Sequence, residues 1–137
     1  MTIAPSAFSA AVRGIYAQAD PLLPGLCLLA PWRVLSTIGA GHLVPELSPE
    51  ILRDLMRRHR AGASLRELVE AELLARGWAL TGEDCAPQRQ GQIGYVRRET
   101  EGVAISSAGR FLFAGPRGVG LLARADRVWS HAELALL

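Results

Sequence analysis

The chain contains no lysine: its fifteen basic residues are all arginine, set against thirteen acidic ones. The net charge of +2 is too small to describe a surface dedicated to nucleic acid. Arginine used alone, beside abundant alanine, glycine, leucine and proline, reads first as GC-rich coding. The functional reading is a set of guanidinium groups chosen for bidentate phosphate contacts. Cysteine is almost as scarce. Two residues, Cys27 and Cys85, exclude a disulfide framework and a zinc site of sulfur ligands. One bridge between them stays open, because spacing does not fix geometry. No apolar run approaches the roughly 18–20 residues of a membrane span. The stretch 22–29 is short and broken by Pro24. Residues 1–10 lack the basic-then-apolar order of a signal peptide. The expectation is a protein made in a bacterial cytoplasm without a signal peptide and carried elsewhere, if at all, by other means. No internal repeat and no low-complexity segment is visible, and no cofactor and no metal is expected.

What remains is a chain of 137 residues, half of them apolar, long enough to bury one core without staples. We read residues 1–137 as a single domain of class α+β, with a helical part over 7–77 and a sheet part over 91–130. A first helix spans 7–19, with Phe8, Val12, Ile15 and Tyr16 along one side. Asp20-Pro21 and Pro24-Gly25 break it. A second helix starts near Cys27 and runs to Ile38, burying Leu28, Trp32, Leu35 and Ile38, with Pro31 expected in its first turn. Ser48-Pro49 starts a third helix to His59, burying Ile51, Leu52, Leu55 and Met56. Ser64 and Glu67 form a capping box for a fourth, closed by Gly77, which buries Leu65, Leu68, Val69 and Leu73 and exposes Arg66, Glu67 and Glu70. The last two helices make a hairpin joined through 60–63. Residues 83–90 read as a polar loop. Short strands follow over 93–97, 102–106, 110–114 and 118–122, with turns at Ala108-Gly109 and Gly115-Pro116. Their spacing predicts an antiparallel meander.

A cysteine opens a helix at Cys27-Leu28-Leu29 after the proline-rich loop, a helical middle follows, and the meander carries Gly91-Gln92-Ile93-Gly94-Tyr95-Val96, Gly109-Arg110-Phe111-Leu112-Phe113-Ala114, Arg117-Gly118-Val119 and Arg127-Val128-Trp129. In that order and spacing the chain resembles, over roughly residues 8–130, the NlpC-type, papain-like cell-wall peptidases. The region 45–78 resembles the family weakly. The chain is also similar to short phage and prophage proteins that look like worn-down forms of this domain.

The resemblance implies a thiolate at a helix N-terminus, where N–H groups and the dipole favour negative charge, a histidine base on the facing strand, and a polar residue orienting it. Cys27 occupies the first position, preceded by Leu26 where active members have aspartate. The histidine position falls at Glu101 or Gly102, and the orienting position at Phe113. A lone thiol, with an unperturbed pKa of about 8.5, is mostly protonated at neutral pH and has no acid to serve the leaving amine. Cys27 is therefore expected as a vestigial nucleophile. His42, in Gly41-His42-Leu43, is the nearby candidate for a rebuilt dyad. It would lie far along the helix from Cys27 unless the loop doubles back, and reads as a surface or cap residue. Glu83, Asp84 and Cys85 offer metal-ligand types without a companion cluster. His59 and His131 are expected at the surface rather than in catalysis. Arg57-Arg58-His59-Arg60 reads as the solvated end of a helix, without the aromatic platform of a nucleic-acid site. The glycine-rich stretch 115–120 lacks the lysine and the following helix of a phosphate loop, and reads as a strand connection.

The function this implies is a non-catalytic structural or binding module in the tail of a phage, prophage or gene-transfer particle. Its expected partners are other tail proteins, with neither membrane nor nucleic acid among them and any small-molecule ligand unspecified. Two alternatives stand beside it: an active cysteine peptidase or amidase using Cys27 on peptidoglycan peptides, and a small host-interaction or inhibitor protein using the arginine-bearing hairpin.

Overall fold

Apolar residues at helical spacing build the first layer. In the computed structural model, which describes residues 3–17, 26–46, 48–115, 118–135 and 137, helix α1 (Pro5–Ala17) buries Phe8, Val12 and Tyr16. The side chains of residues 26–29, 49 and 52 fall outside that description, as does the whole proline-rich loop 18–25. Helix α2 (Leu26–Thr37) buries Trp32 and Leu35, and Ile38, just past its end, packs against the core, while Leu28 lies outside the described side chains. Pro31 is not in the first turn as expected but inside the helix. It has no N–H for the carbonyl four residues back. Its ring is buried, so packing holds the turn that the missing bond would weaken.

Helix α3 (Pro49–Arg60) begins at the expected cap: Ser48 Oγ accepts the N–H of Ile51 at 3.1 Å. It meets the core through Leu55 and Met56. Ile51, a turn earlier, is left 43% exposed rather than buried. Helix α4 (Leu65–Leu74) is capped by Ser64, whose hydroxyl accepts the N–H of Glu67 at 3.4 Å. Leu65, Val69 and Leu73 are buried and Leu68 is half-buried. Gly77 ends the helix at φ +90°, letting the Trp78 N–H reach the Leu73 carbonyl.

The second layer is a six-stranded antiparallel sheet in the order β1-β6-β2-β3-β4-β5. Its strands are β1 (Ala79–Cys85), β2 (Ile93–Arg97), β3 (Glu101–Ser107), β4 (Arg110–Gly115), β5 (Gly118–Leu122) and β6 (Ala125–Ser130). The fold is α+β. Strands β2 to β5 are the expected meander. Ala108 and Gly109, both at positive φ (52° and 78°), make a two-residue turn between β3 and β4 of the kind whose twist suits a hairpin. Two corrections apply to the sheet. It begins at Ala79 rather than 91, so residues 83–85, read as part of a polar loop, belong to strand β1. It is also not a pure meander, because β6 returns to lie between β1 and β2.

The helices cover one face, where Ile93, Tyr95, Val103, Ile105 and Trp129 join the main core. The other face carries a smaller apolar cluster of Val96, Ala104, Phe111, Phe113, Ala125 and Val128. On this face the Phe111 side chain on β4 reaches across β3 to Gly94 on β2. A Cβ at Gly94 would lie 3.1 Å from the Phe111 ring and 2.8 Å from the Ala125 Cβ.

Candidate functional site

Helix α2 carries Cys27 in its first turn and packs on β3 and β4. The Cys27 thiol lies outside the described side chains. Glu101 opens β3 and pairs with Arg97, and Gly102 pairs with Val96. Side chains alternate along a strand, so Glu101 shares the helix-facing side with Tyr95 and Val103. Gly102 faces the other way. Phe113 also sits on the far face, in the cluster with Val96 and Phe111. Of the positions the resemblance assigns to histidine and its orienting partner, Glu101 alone faces the helices.

Glu101 is the hub of the first polar cluster. The Tyr95 hydroxyl donates to its Oε2. The last turn of α3 brings His59 Nε2 to 3.1 Å from Oε1, with the two side chains 33% and 28% exposed. The other imidazole nitrogen, Nδ1, donates to the Ala63 carbonyl at 3.0 Å. Each carboxylate oxygen thus has a partner, and so does each nitrogen of the ring. His59, expected at the surface, is half-buried. Burial, reinforced by the bond to the Glu101 carboxylate, pushes the Tyr95 phenol up to about 12. It acts as a permanent donor at neutral pH. The arrangement clamps the helical hairpin to β2 and β3.

A second cluster adjoins it, because Tyr95 is paired across strands with Arg127. Arg127 Nε donates to Glu70 Oε2 at 2.7 Å and its Nη1 to Glu83 Oε1 at 2.7 Å. The Trp129 indole N–H donates to the same Glu70 oxygen at 2.8 Å. Glu70 is therefore 20% exposed and bonded, not on the solvated face of α4. Burial alone would raise its carboxyl. The donors from Arg127 and Trp129 outweigh burial and hold it below the ordinary glutamate range. Sequence periodicity could not find these residues: each is a charge or polar tip at the margin of an apolar face, and only the pairing of β2 with β6 brings them into line.

The remaining candidates do other work. His42 Nε2 lies 2.8 Å from Glu133 Oε2 at the surface. His131 is half-buried rather than exposed: Nε2 donates to the Arg76 carbonyl at 2.9 Å, Nδ1 accepts the Glu133 N–H at 3.1 Å, and the ring stands edge-on to Trp78. Cys85 is a free thiol, half-buried against the smaller cluster. Among the described residues no three of His, Cys, Asp and Glu come together to hold a metal ion. Arg57 and Arg58 both pair with Asp54 on the exposed end of α3. Of the stretch 115–120, Gly115 ends β4 and residues 118–120 belong to β5, while 116 and 117, where a turn was expected, lie outside the described residues. No helix among the described residues is long and apolar enough to cross a membrane.

No family model, curated protein or solved structure matches this chain.

Proposed function

We propose that the chain is a non-catalytic structural or binding module on an NlpC-like frame, working among the tail proteins of a phage, prophage or gene-transfer particle. The observation that carries this reading is Glu101. It stands at the helix-facing position of β3 where the resemblance implies a histidine, and it spends both carboxylate oxygens on Tyr95 and His59. The imidazole that does approach has both nitrogens engaged, leaving neither to take a proton from a thiol. The tail context comes from the resemblance alone. The test is to isolate particles from a producing strain and probe them for the chain, while assaying the purified chain on peptidoglycan. Presence in tails with no hydrolysis supports the reading. Absence from particles, or cleavage of muropeptides, sinks it.

A second reading, a cysteine peptidase or amidase, is favoured by one observation: Cys27 lies in the first turn of the helix that packs on β3 and β4. A helix N-terminus lowers a thiol pKa. Covalent labelling by a thiol-reactive peptidoglycan-peptide analogue, abolished in Cys27→Ser, is its signature. A chain that takes no label is not that enzyme.

A further inference from the structure

The two edges of the sheet are unlike. Edge strand β1 carries Glu83 and Asp84, shifts register between Leu80 and Gly82, and holds Asp84 at φ +44°. Charge and irregularity of this kind keep a strand edge from pairing with another chain. Edge strand β5, Gly118-Val119-Gly120-Leu121-Leu122, has no charge and pairs regularly with β4 along its whole length. Two of its side chains, Val119 at 43% and Leu121 at 67%, are exposed. Its polar backbone groups alternate in direction. Gly115 and Gly118 are the last pair of the β4–β5 ladder, and an antiparallel pair separated by two residues in sequence exchanges its hydrogen bonds. Gly118, Gly120 and Leu122 therefore bond to β4, while the N–H and C=O groups of Val119 and Leu121 point away from the sheet.

Beside this edge, on the face without helices, lies an open cavity of about 330 Å³ whose lining includes Phe113, Gly115, Gly118, Gly120 and Leu122. The glycines keep it open. A Cβ at Gly118 would meet nothing within 4 Å, and one at Gly120 only the Phe113 carbonyl at 3.9 Å.

The geometry points to a second copy of this chain as the occupant of the β5 edge, paired antiparallel about a two-fold axis at Gly120. That register sets each Val119 opposite the partner's Leu121, the residues whose outward backbone groups are available. Their side chains meet on the helix-side face as an apolar quartet. It also sets each Leu122 opposite the partner's Gly118, on the face of the cavity, so that a leucine from each copy enters the space the other's glycines leave. A strand without charge meets no like-charge repulsion in pairing with itself, and an isologous contact closes at two copies. The result is one sheet running through both subunits, whether or not Cys27 is catalytic.

Light scattering and sedimentation of the full chain test this. The expected mass is twice 14.7 kDa, with a dimer fraction rising with concentration. Val119→Lys combined with Leu121→Lys places lysine opposite lysine at positions already exposed in one subunit. The dissociation constant should rise at least about a hundredfold with unchanged circular dichroism. Gly120→Cys, which has room for its Cβ, should form a disulfide between the two position-120 thiols under mild oxidation. Non-hydrogen-bonded antiparallel pairs bring Cα atoms to about 4.5 Å, within disulfide range, and peptide mass spectrometry identifies the bond. A chain that stays monomeric at every concentration, a dimer that survives the double lysine variant, or a dimer without the 120–120 link each overturns the proposal. Capture of a foreign strand by a monomeric chain overturns it too.

Discussion

The side-chain amide of Gln92 donates to the hydroxyl of Ser130 at 2.7 Å, joining the segment before β2 to the end of β6 inside the protein. Gln92 is 1% exposed. Its carbonyl accepts the N–H of Gln88 at 2.8 Å, and its own N–H donates to Ser106 Oγ. That hydroxyl in turn donates to the Arg89 carbonyl at 2.6 Å. One side chain therefore fastens the loop before β2 to the sheet. Gln92→Ala strands the Gln88 N–H and leaves a cavity, and should cost about 2–3 kcal/mol in urea unfolding. Limited proteolysis should cut first between residues 86 and 91. A variant as stable and as resistant as the parent would show the network to be idle.

Tyr95 gives a prediction in alkali. Its phenol is pushed from the ordinary 10.0 to about 12 by burial and by Glu101. A raised value contributes stability that is fully present below the unfolded value and is lost as pH rises through the folded one. Stability should fall between pH 10.0 and about 12, and Tyr95→Phe should flatten that part of the curve. In a Tyr16→Phe background the absorbance of a single phenolate reports the titration directly. Ionisation at the ordinary value would refute the bond to Glu101.

Glu70 behaves in the opposite sense. Its folded value is depressed by Arg127 and Trp129 against the effect of burial. The stability it provides is present above the ordinary glutamate range and is lost as pH falls through the lowered value. Glu70→Gln should be less stable than the parent at neutral pH, and the gap should close as the solution is acidified below that range. Glu70→Ala, which also strands the Trp129 N–H, should cost about 1–3 kcal/mol. A gap independent of pH would mean that the carboxylate charge is irrelevant.

Much of this fold was legible from residue pattern, and the exceptions share a cause. Strands β2 and β5 match the expected 93–97 and 118–122, because each is bounded by turn residues and lies within a run of hairpins. Ser48 and Ser64 mark helix starts because their hydroxyls meet backbone donors locally. Strand β1 was illegible. It is an edge strand without alternating burial, and its acidic residues look like loop. The place of β6 was equally hidden, since nothing local says that Trp129 returns to lie opposite Ile93. The polar clusters follow from that return. Glu101 was legible only as a histidine missing from the position the resemblance assigns, and His59 only as part of a basic helix end. Their meeting is a tertiary fact.

Two glycines should respond to alanine with opposite signs. At Gly94 the new methyl would press on Ala125 at 2.8 Å and on the Phe111 ring at 3.1 Å, so Gly94→Ala should destabilise by about 1–3 kcal/mol. Gly14 lies within α1 and a Cβ there meets nothing within 4 Å. Gly14→Ala should stabilise by about 0.5–1 kcal/mol through helix propensity. Thermal unfolding of the two variants side by side settles the signs.

The insertion of β6 between β1 and β2 imposes an order on folding. The hairpins from β2 to β5 close over short loops and can form as soon as their residues are free to turn. Strand β1 cannot, since its neighbour is β6 and a contact such as Thr81 to Val128 spans 47 residues. Closing so long a loop is slow relative to a hairpin. Until it closes, the helical half and the β2–β5 half are joined by chain without β6 to bridge β1 and β2. Pulse-labelled hydrogen exchange should find β2–β5 amides protected first and β1 amides last. In that interval β5 is already a formed, uncharged edge, and a crowded refolding solution is where unwanted strand exchange between chains should appear.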